Sequence, residues 1–151
     1  MIALIQRVTS ASVRIAGEEV AVIGQGVLAL IGVERGDGEA QARRLAERVV
    51  TYRIFANAQG KMNLSLKDIG GELLAVAQFT LAADTNSGLR PSFSGAASPA
   101  DGEALFIKFA ETAAEAVHVA TGRFGADMQV DLVNDGPVTF WVETKAGALV
   151  K

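Results

Sequence analysis

The sequence has no cysteine and a single histidine among its 151 residues. Without cysteine the chain cannot form a disulfide framework, a zinc ribbon, an iron–sulfur site or a thiol nucleophile. One histidine excludes a multi-histidine metal site, and it leaves His118 as the one candidate base for a Ser-His-Asp triad. We therefore expect neither a metal nor a cofactor.

Positive charge and long apolar runs are also scarce. Lysine and arginine together number 14 against 17 acidic residues, which gives a net charge of −3. This balance argues against a sequence-independent DNA binder with a broad basic face. The longest apolar run, residues 27–33, is far shorter than the roughly 20 residues that span a bilayer. The composition predicts a soluble, cytoplasmic protein with neither membrane nor DNA as a partner.

The patterns that are present predict a single α+β domain. Alternating and apolar stretches predict strands across residues 2–33, with a turn at Gly17-Glu18-Glu19 and a hairpin turn at Gly24-Gln25-Gly26. Residues 72–81 form another predicted strand, and residues 82–97 are loop-like. Two last strands, 128–133 and 138–142, flank a turn at residues 134–137.

Two segments carry helical signals. Apolar residues at 42, 45, 46, 49 and 50 predict an amphipathic helix over residues 39–52, with Asp37 or Glu39 at its start. Ser98, Pro99 and Asp101 form a helix start, and we place His118 at the end of that helix. The predicted fold is a mainly antiparallel, barrel-like sheet with two principal helices over residues 1–144, followed by a tail at 145–151.

Several motifs allow both a functional and a purely structural interpretation. Gly24-Gln25-Gly26 begins a G-x-G-x-x-A match, but a strand rather than a helix follows, so a dinucleotide site is disfavoured. His118 could act as a base, although a histidine in the last turn of a helix more often serves the helix end. If the protein is a hydrolase, we expect it to work without an imidazole.

The end of the strand at residues 77–81 is a second candidate. Unpaired N–H groups after a strand can stabilise an oxyanion without any titrating side chain. The structural alternative is a half-buried strand in which Thr80 merely fits the pleat.

Three further segments could bind a nucleic-acid end. Arg90 could pair with a phosphate or be a solvated loop residue. Phe124 and Met128, with Arg123 beside them, could hold a flat base or belong to the core. Gly136-Pro137 could form an ordinary β-turn, or a cis bond that re-aims the neighbouring carbonyls.

Taken together, six segments resemble the D-aminoacyl-tRNA deacylases, often called D-Tyr-tRNA(Tyr) deacylases. The resemblance runs in order over about residues 1–144, and it is carried by residues 1–8, 60–63, 77–81, 90–93, 121–128 and 134–139. It implies hydrolysis of the ester between a D-amino acid, or mischarged glycine, and the 3′ end of tRNA. It also implies a homodimer with active sites at the subunit interface.

The resemblance assigns roles to particular residues. Main-chain groups of Ala77, Gln78, Phe79 and Thr80 would bind the terminal adenosine and the aminoacyl ester, and amides near Phe79 and Thr80 would stabilise the oxyanion. The 2′-hydroxyl of the adenosine would assist the attacking water.

The opposite side of the substrate would face the partner subunit. Gly136 and Pro137, joined by a cis bond, would reach into the partner's site, where their carbonyls exclude an L side chain. Phe124 and Met128 would help to form the adenine pocket.

Two features depart from the expected pattern. Ala77 stands where the family usually has serine, which removes that hydroxyl and any serine nucleophile. The acidic balance is unusual for a tRNA binder, so we expect Arg7, Arg90 and Arg123 to form only a small basic patch and the salt dependence of binding to be shallow. The alternatives are an RNA 3′-end binding module without turnover, and a small-molecule enzyme with its site at a subunit interface.

Overall fold

The fold is a six-stranded sheet with two long helices, and the computed structural model describes residues 1–145. Within that range the strands are β1 (Ile2–Ile15), β2 (Glu18–Ile23), β3 (Gly26–Gly32), β4 (Phe55–Ala56), β5 (Met62–Leu64), β6 (Glu72–Ala77), β7 (His118–Thr121) and β8 (Gln129–Glu143). The helices are α1 (Glu39–Thr51), α2 (Leu66–Ile69) and α3 (Pro99–Ala114). The predicted α+β class is confirmed, and residues 146–151 of the predicted tail lie outside the described range.

The predicted hairpin at Gly24-Gln25-Gly26 is wrong. β2 and β3 do not pair with each other, because both pair antiparallel with β1. The two pairings continue the same register along β1, since Ile23 faces Ala11 and Gly26 faces Val8. Gly24 and Gln25 are a bend between two strands that lie end to end. The turn into β2 lies at Ala16 and Gly17, which have positive φ, so the predicted turn is shifted by one residue.

The predicted turn at residues 134–137 lies inside β8 rather than between two strands. β8 pairs antiparallel with β1 along nearly its whole length, but Thr139 faces Gln6 while Asn134 faces Val8. The residues between Asn134 and Thr139 therefore bulge out of the ladder opposite Arg7, because β1 supplies a single residue there.

Both long helices form where their signals lie. α1 spans Glu39–Thr51 and buries the predicted apolar face. The Ser98 hydroxyl accepts the Asp101 N–H at 3.2 Å and so caps α3. Asp37 does not cap α1; its carboxylate accepts hydrogen bonds from the nitrogen of Met1 at 2.9 Å and from the N–H of Glu34 at 2.7 Å.

Two parallel ladders and the strand β7 were not predicted. β6 runs parallel to both β3 and β7, because the connections containing α1 and α3 carry the chain back to the same end of the sheet. His118 begins β7 rather than ending a helix, and its imidazole lies 3.6 Å from the carboxylate of Glu72.

The core divides into two clusters. The larger one lies between the sheet and helices α1 and α3 and contains the fully buried side chain of Phe109. The smaller one contains Val8, Val13 and Leu74. None of the helices within residues 1–145 is long and apolar enough to cross a membrane.

Candidate functional site

A cleft of about 580 Å³ opens where β3 and β6 end. Four parts of the chain border it: the end of β6 with the turn that follows, the loop around Phe93, the start of α3, and residues 124–128. The cleft thus brings Ala77, Gln78 and Phe79 together with Phe124 and Met128, as a binding site for one ligand requires.

The backbone changes direction at the end of β6. Ala77 is its last residue, and the N–H of Gln78 donates to the carbonyl of Ile31 at 2.7 Å. A 3₁₀ turn then runs through Phe79–Ala82, so the predicted continuation of the strand to Leu81 is wrong. Gly32 makes this possible, since an added Cβ there would lie 3.0 Å from the Cβ of Leu81.

This change of direction leaves two amides available. Across residues 1–145, no protein acceptor takes a hydrogen bond from the N–H of Phe79 or of Thr80. The N–H of Phe79 follows Gln78 in the chain and the N–H of Thr80 follows Phe79, and both Gln78 and Phe79 line the cleft. Amides placed in this way can stabilise developing negative charge on a carbonyl oxygen.

The side chains beside these amides offer contact area for a ligand, and none of them is placed to act as an acid or a base. The rings of Phe79 and Phe93 lie 5.1 Å apart, and Phe79 is 60% exposed. The side-chain amide of Gln78 donates to the hydroxyl of Thr80. His118 pairs with Glu72 at the far end of β6, roughly 17 Å of strand away, so it does not activate Thr80.

The opposite wall of the cleft carries the apolar side chains of Phe124 and Met128. Phe124 packs against Phe106 with ring centroids 6.5 Å apart, and Met128 lies against Gly122. Gly102 keeps α3 close to this wall, because a Cβ there would lie 3.4 Å from the ring of Phe124. Phe93 belongs to the segment 90–93 that carries the resemblance, whereas Gly102 and Phe106 were not predicted as site residues, although a glycine inside a helical pattern signals close packing.

Gly136 and Pro137 do not line this cleft. The bond between them is cis, as the resemblance implies, and both residues are exposed. Arg7, opposite the bulge, is level with Leu73 in β6, because Arg7 faces Val27 and Val27 faces Leu73. The bulge is therefore roughly 13 Å along the sheet and roughly 14 Å across it from Ala77.

Arg7 holds the base of this bulge. Its Nε donates to the carbonyl of Asp135 at 3.0 Å and lies 3.1 Å from the Asp135 carboxylate, while Nη1 donates to the carbonyl of Ile54 at 2.7 Å. The amide of Asn134 donates to the carbonyls of Arg7 and Val138. The guanidinium is thus engaged inside the protein, and its contact with tRNA stays a prediction.

The two other predicted arginines are exposed. Arg90 lies on the loop whose ends are joined by the pairing of Asp84 with Ser92, and Arg123 directly precedes Phe124. Neither forms an ion pair with another residue in the range 1–145. In the same range no group of three or more His, Cys, Asp or Glu residues is arranged to hold a metal ion.

Comparisons with known proteins agree with one another. The family model described as D-Tyr-tRNA(Tyr) deacylase matches residues 4–143. D-aminoacyl-tRNA deacylases of Aeromonas hydrophila and Citrobacter koseri are 60% and 59% identical to this chain over 144 residues, which is 95% of this chain and 99% of each relative.

Solved structures show the same fold. A protein named c-Myc DNA Unwinding Element Binding Protein matches with a TM-score of 0.92 and 35% identity, over 97% of this chain and all of that one. A probable eukaryotic D-amino acid tRNA deacylase matches with a TM-score of 0.80 over 95% of this chain and 98% of that one. At 16% identity, this second likeness concerns the fold alone.

Proposed function

The chain belongs to the D-Tyr-tRNA(Tyr) deacylase family and hydrolyses D-aminoacyl-tRNA, and we propose that the reaction takes place in the cleft at the ends of β3 and β6. The observation that carries this assignment is that two unpaired amides, those of Phe79 and Thr80, directly follow residues of the cleft whose opposite wall carries Phe124 and Met128. The amides suit the carbonyl of an ester, and the wall suits an adenine ring.

In this site the terminal adenosine of tRNA lies against Phe124 and Met128, and Ala77 and Gln78 line the path to the amides. The carbonyl oxygen of the aminoacyl ester points to the N–H groups of Phe79 and Thr80. These amides receive the oxyanion as it forms, and the loss of one such donor typically costs about 3–4 kcal/mol of transition-state stabilisation.

Water supplied near the ribose completes the reaction. Its oxygen bonds to the ester carbon, the tetrahedral intermediate breaks its bond to the ribose oxygen, and that oxygen takes the proton released by the water. The 2′-hydroxyl of the adenosine assists the water in place of a side-chain base. The pairing of His118 with Glu72 and the hydrogen bond from Gln78 to Thr80 support this assignment.

A second copy of the chain completes the site. Gly136 and Pro137 are exposed and too far from the cleft of their own subunit to act there. In a homodimer they enter the partner's cleft and meet the α-carbon of the substrate, where their carbonyls leave space for hydrogen but not for an L side chain. Arg7 keeps these carbonyls in position.

The strand β8 supports this dimer. Within residues 1–145 it pairs only with β1, so its other edge is open, and its side chains Leu132, Val133 and Trp141 are exposed on the faces of the sheet beside that edge. Long unpaired edges with apolar side chains are normally covered.

Other finer features follow from this mechanism. The Gly136 and Pro137 carbonyls contact the α-carbon of the substrate and not its amino-acid side chain, so the enzyme accepts many D-amino acids as well as glycine. If the 2′-hydroxyl of the tRNA assists the water, no hydroxyl is needed at position 77, and alanine there is compatible with activity.

Because charged tRNA is used in the cytoplasm, the enzyme acts in the cytoplasm. Residues 1–144 act as one domain.

Release of amino acid from three charged tRNAs tests the proposal. Purified protein is incubated with D-Tyr-tRNA, L-Tyr-tRNA and Gly-tRNA, and we expect rapid loss of the first and third while the second survives. If all three aminoacyl-tRNAs survive equally while tRNA still binds, the protein is the RNA-binding module without turnover. The loss of activity would then be assigned to Ala77. Hydrolysis of small esters without any dependence on tRNA indicates the small-molecule enzyme.

A further inference from the structure

Residues 53–67, here called the basic hairpin, contain no acidic residue in a chain of net charge −3. They comprise the β4–β5 hairpin and its flanks up to the first turn of α2, and their three cations are Arg53, Lys61 and Lys67. All three side chains are exposed. The basic hairpin is therefore a positive surface on an acidic protein.

These three cations are not neutralised by ion pairs. Within residues 1–145 none of them pairs with a carboxylate, whereas exposed arginines such as Arg43 and Arg44 lie 3.4 Å from glutamates on their own helix. The acid that follows the basic hairpin directly is Asp68. Its carboxylate accepts the N–H of Ser65 at 2.8 Å, and Arg53 and Lys67 both act on it electrostatically.

The backbone of the basic hairpin is held in one shape. Asn57 accepts the N–H groups of Gln59 and Lys61 on its side-chain oxygen, both at 3.0 Å, and its own N–H donates to the carbonyl of Lys61 at 2.8 Å. The side chain of Ser65 caps α2 by accepting the N–H of Asp68 at 3.1 Å. A backbone fixed in this way loses little conformational entropy on binding.

Arg7 connects the basic hairpin to the bulge that carries Gly136 and Pro137. One guanidinium donates to the carbonyl of Ile54, next to Arg53, and to that of Asp135, next to Gly136. The end of the basic hairpin that carries Arg53 is therefore tied through Arg7 to the segment that the proposed function places over the substrate in the partner's cleft.

We propose that the basic hairpin binds the phosphate backbone of the tRNA acceptor stem whose aminoacyl end occupies the cleft of the proposed dimer. This inference rests on the proposed function. The cations meet phosphates and not base edges, so binding here does not depend on the sequence of the stem. Three such contacts contribute roughly 2 to 3 to the slope of log affinity against log salt.

The test compares two variants of equal charge change. The first is R53Q/K61Q/K67Q in the basic hairpin. The control is R43Q/R44Q/K108Q, which removes two exposed arginines and the half-buried Lys108, each within 4 Å of an acid on its own helix. Each is assayed with full-length D-Tyr-tRNA and with D-tyrosyl-adenosine, which has no stem, and the binding of uncharged tRNA is measured in parallel.

We expect the basic-hairpin variant to raise KM for full-length D-Tyr-tRNA at least tenfold with kcat within twofold, and to leave D-tyrosyl-adenosine hydrolysis unchanged. Its salt slope should fall by about 2. The control variant should match the wild type. K61Q alone, at the hairpin tip, should raise KM about threefold if the triple variant is poorly folded.

Three results overturn the inference: an unchanged KM for full-length tRNA, an equal loss with D-tyrosyl-adenosine, or an equal rise in KM in the control variant. The proposed function fails separately, if the wild-type protein hydrolyses neither substrate. In that case weaker tRNA binding by the basic-hairpin variant alone still supports the inference, and equal binding by both variants overturns it.

Discussion

At the scale of single residues, Gly26 is required by a contact between two strands. A Cβ at this position would overlap the backbone of Glu72, where β6 begins beside β3. We expect Gly26→Ala to lower the free energy of unfolding by about 3 kcal/mol, and hence Tm by roughly 6–12 °C, because neither backbone can move away freely.

Gly24, two residues earlier, is the matched control. A Cβ there would approach only the Glu72 carboxylate, at 3.4 Å, which is the flexible end of a side chain. Gly24→Ala should therefore cost less than about 1 kcal/mol in thermal or urea unfolding. Equal destabilisation by the two variants would show that the close approach to Glu72 does not matter.

A second single-residue prediction concerns Arg7 and the discrimination between D- and L-aminoacyl-tRNA. Lysine retains the charge but cannot reach the carbonyls of both Ile54 and Asp135, since its single ammonium lacks the fork of the guanidinium. We expect Arg7→Lys to lower kcat/KM for D-Tyr-tRNA about tenfold and to increase the relative rate with L-Tyr-tRNA, because Gly136 and Pro137 lose their fixed position.

The control for this prediction is Arg14→Lys. Arg14 pairs with Asp131 at 2.7 Å, but both side chains are exposed, so the substitution should have little effect on either rate. An Arg7→Lys enzyme that discriminates D from L as well as the wild type does would contradict the role given to Arg7.

At the scale of elements, the short helix α2 depends on its capping box. The carboxylate of Asp68 accepts the backbone N–H of Ser65, and this hydrogen bond, together with the nearby Ser65 hydroxyl, holds the pKa of Asp68 below its usual value of 3.8. Because the folded pKa is lower than the unfolded one, Asp68 stabilises the fold above about pH 3.8, and this contribution is lost as the pH falls through the folded pKa.

The variant Asp68→Ala tests this linkage. Its Tm should lie below that of the wild type at pH 7, and the difference should narrow at pH 3, which lies below the ordinary pKa of 3.8. Glu111→Ala on α3 controls for the loss of one exposed negative charge. A Tm difference of the same size at both pH values would mean that the ionised carboxylate adds nothing to the cap.

At the scale of the whole molecule, the proposed shared site requires that a second copy covers the exposed apolar side chains of β8. Trp141 is 53% exposed and faces Leu4 across the strand pair, and Leu4 in turn faces the half-buried Leu30. We expect Trp141→Glu to abolish the dimer and to reduce deacylation of D-Tyr-tRNA at least tenfold, because a charge buried in the interface is strongly unfavourable.

Sedimentation measures this effect directly. The wild-type protein should sediment at about twice its chain mass of 15.7 kDa and the variant at the chain mass. Ile107→Glu, which replaces a similarly exposed apolar residue on α3, should change neither mass nor activity. A wild-type protein that sediments as a monomer refutes the shared active site.

The sequence by itself determined the parts of the fold that depend on local periodicity and capping. The apolar stripe of α1 and the Ser98 cap of α3 each act over a few residues, so their positions could be predicted closely. The absence of cysteine and the single histidine likewise directed attention to backbone amides. Family membership was also evident from the sequence, because six short segments occur in the family's order between residues 1 and 139.

The tertiary structure decided which strands are neighbours and where the candidate site forms. Gly24 and Gln25 resemble a hairpin turn locally, yet β1 is long enough to pair with both β2 and β3 and keeps them in one register. The separation of Gly136 from Ala77 likewise depends on three strand pairings, which no local pattern contains. Pairing between distant segments is set by the packing of the whole sheet, and this is why the cleft became visible only in the folded chain.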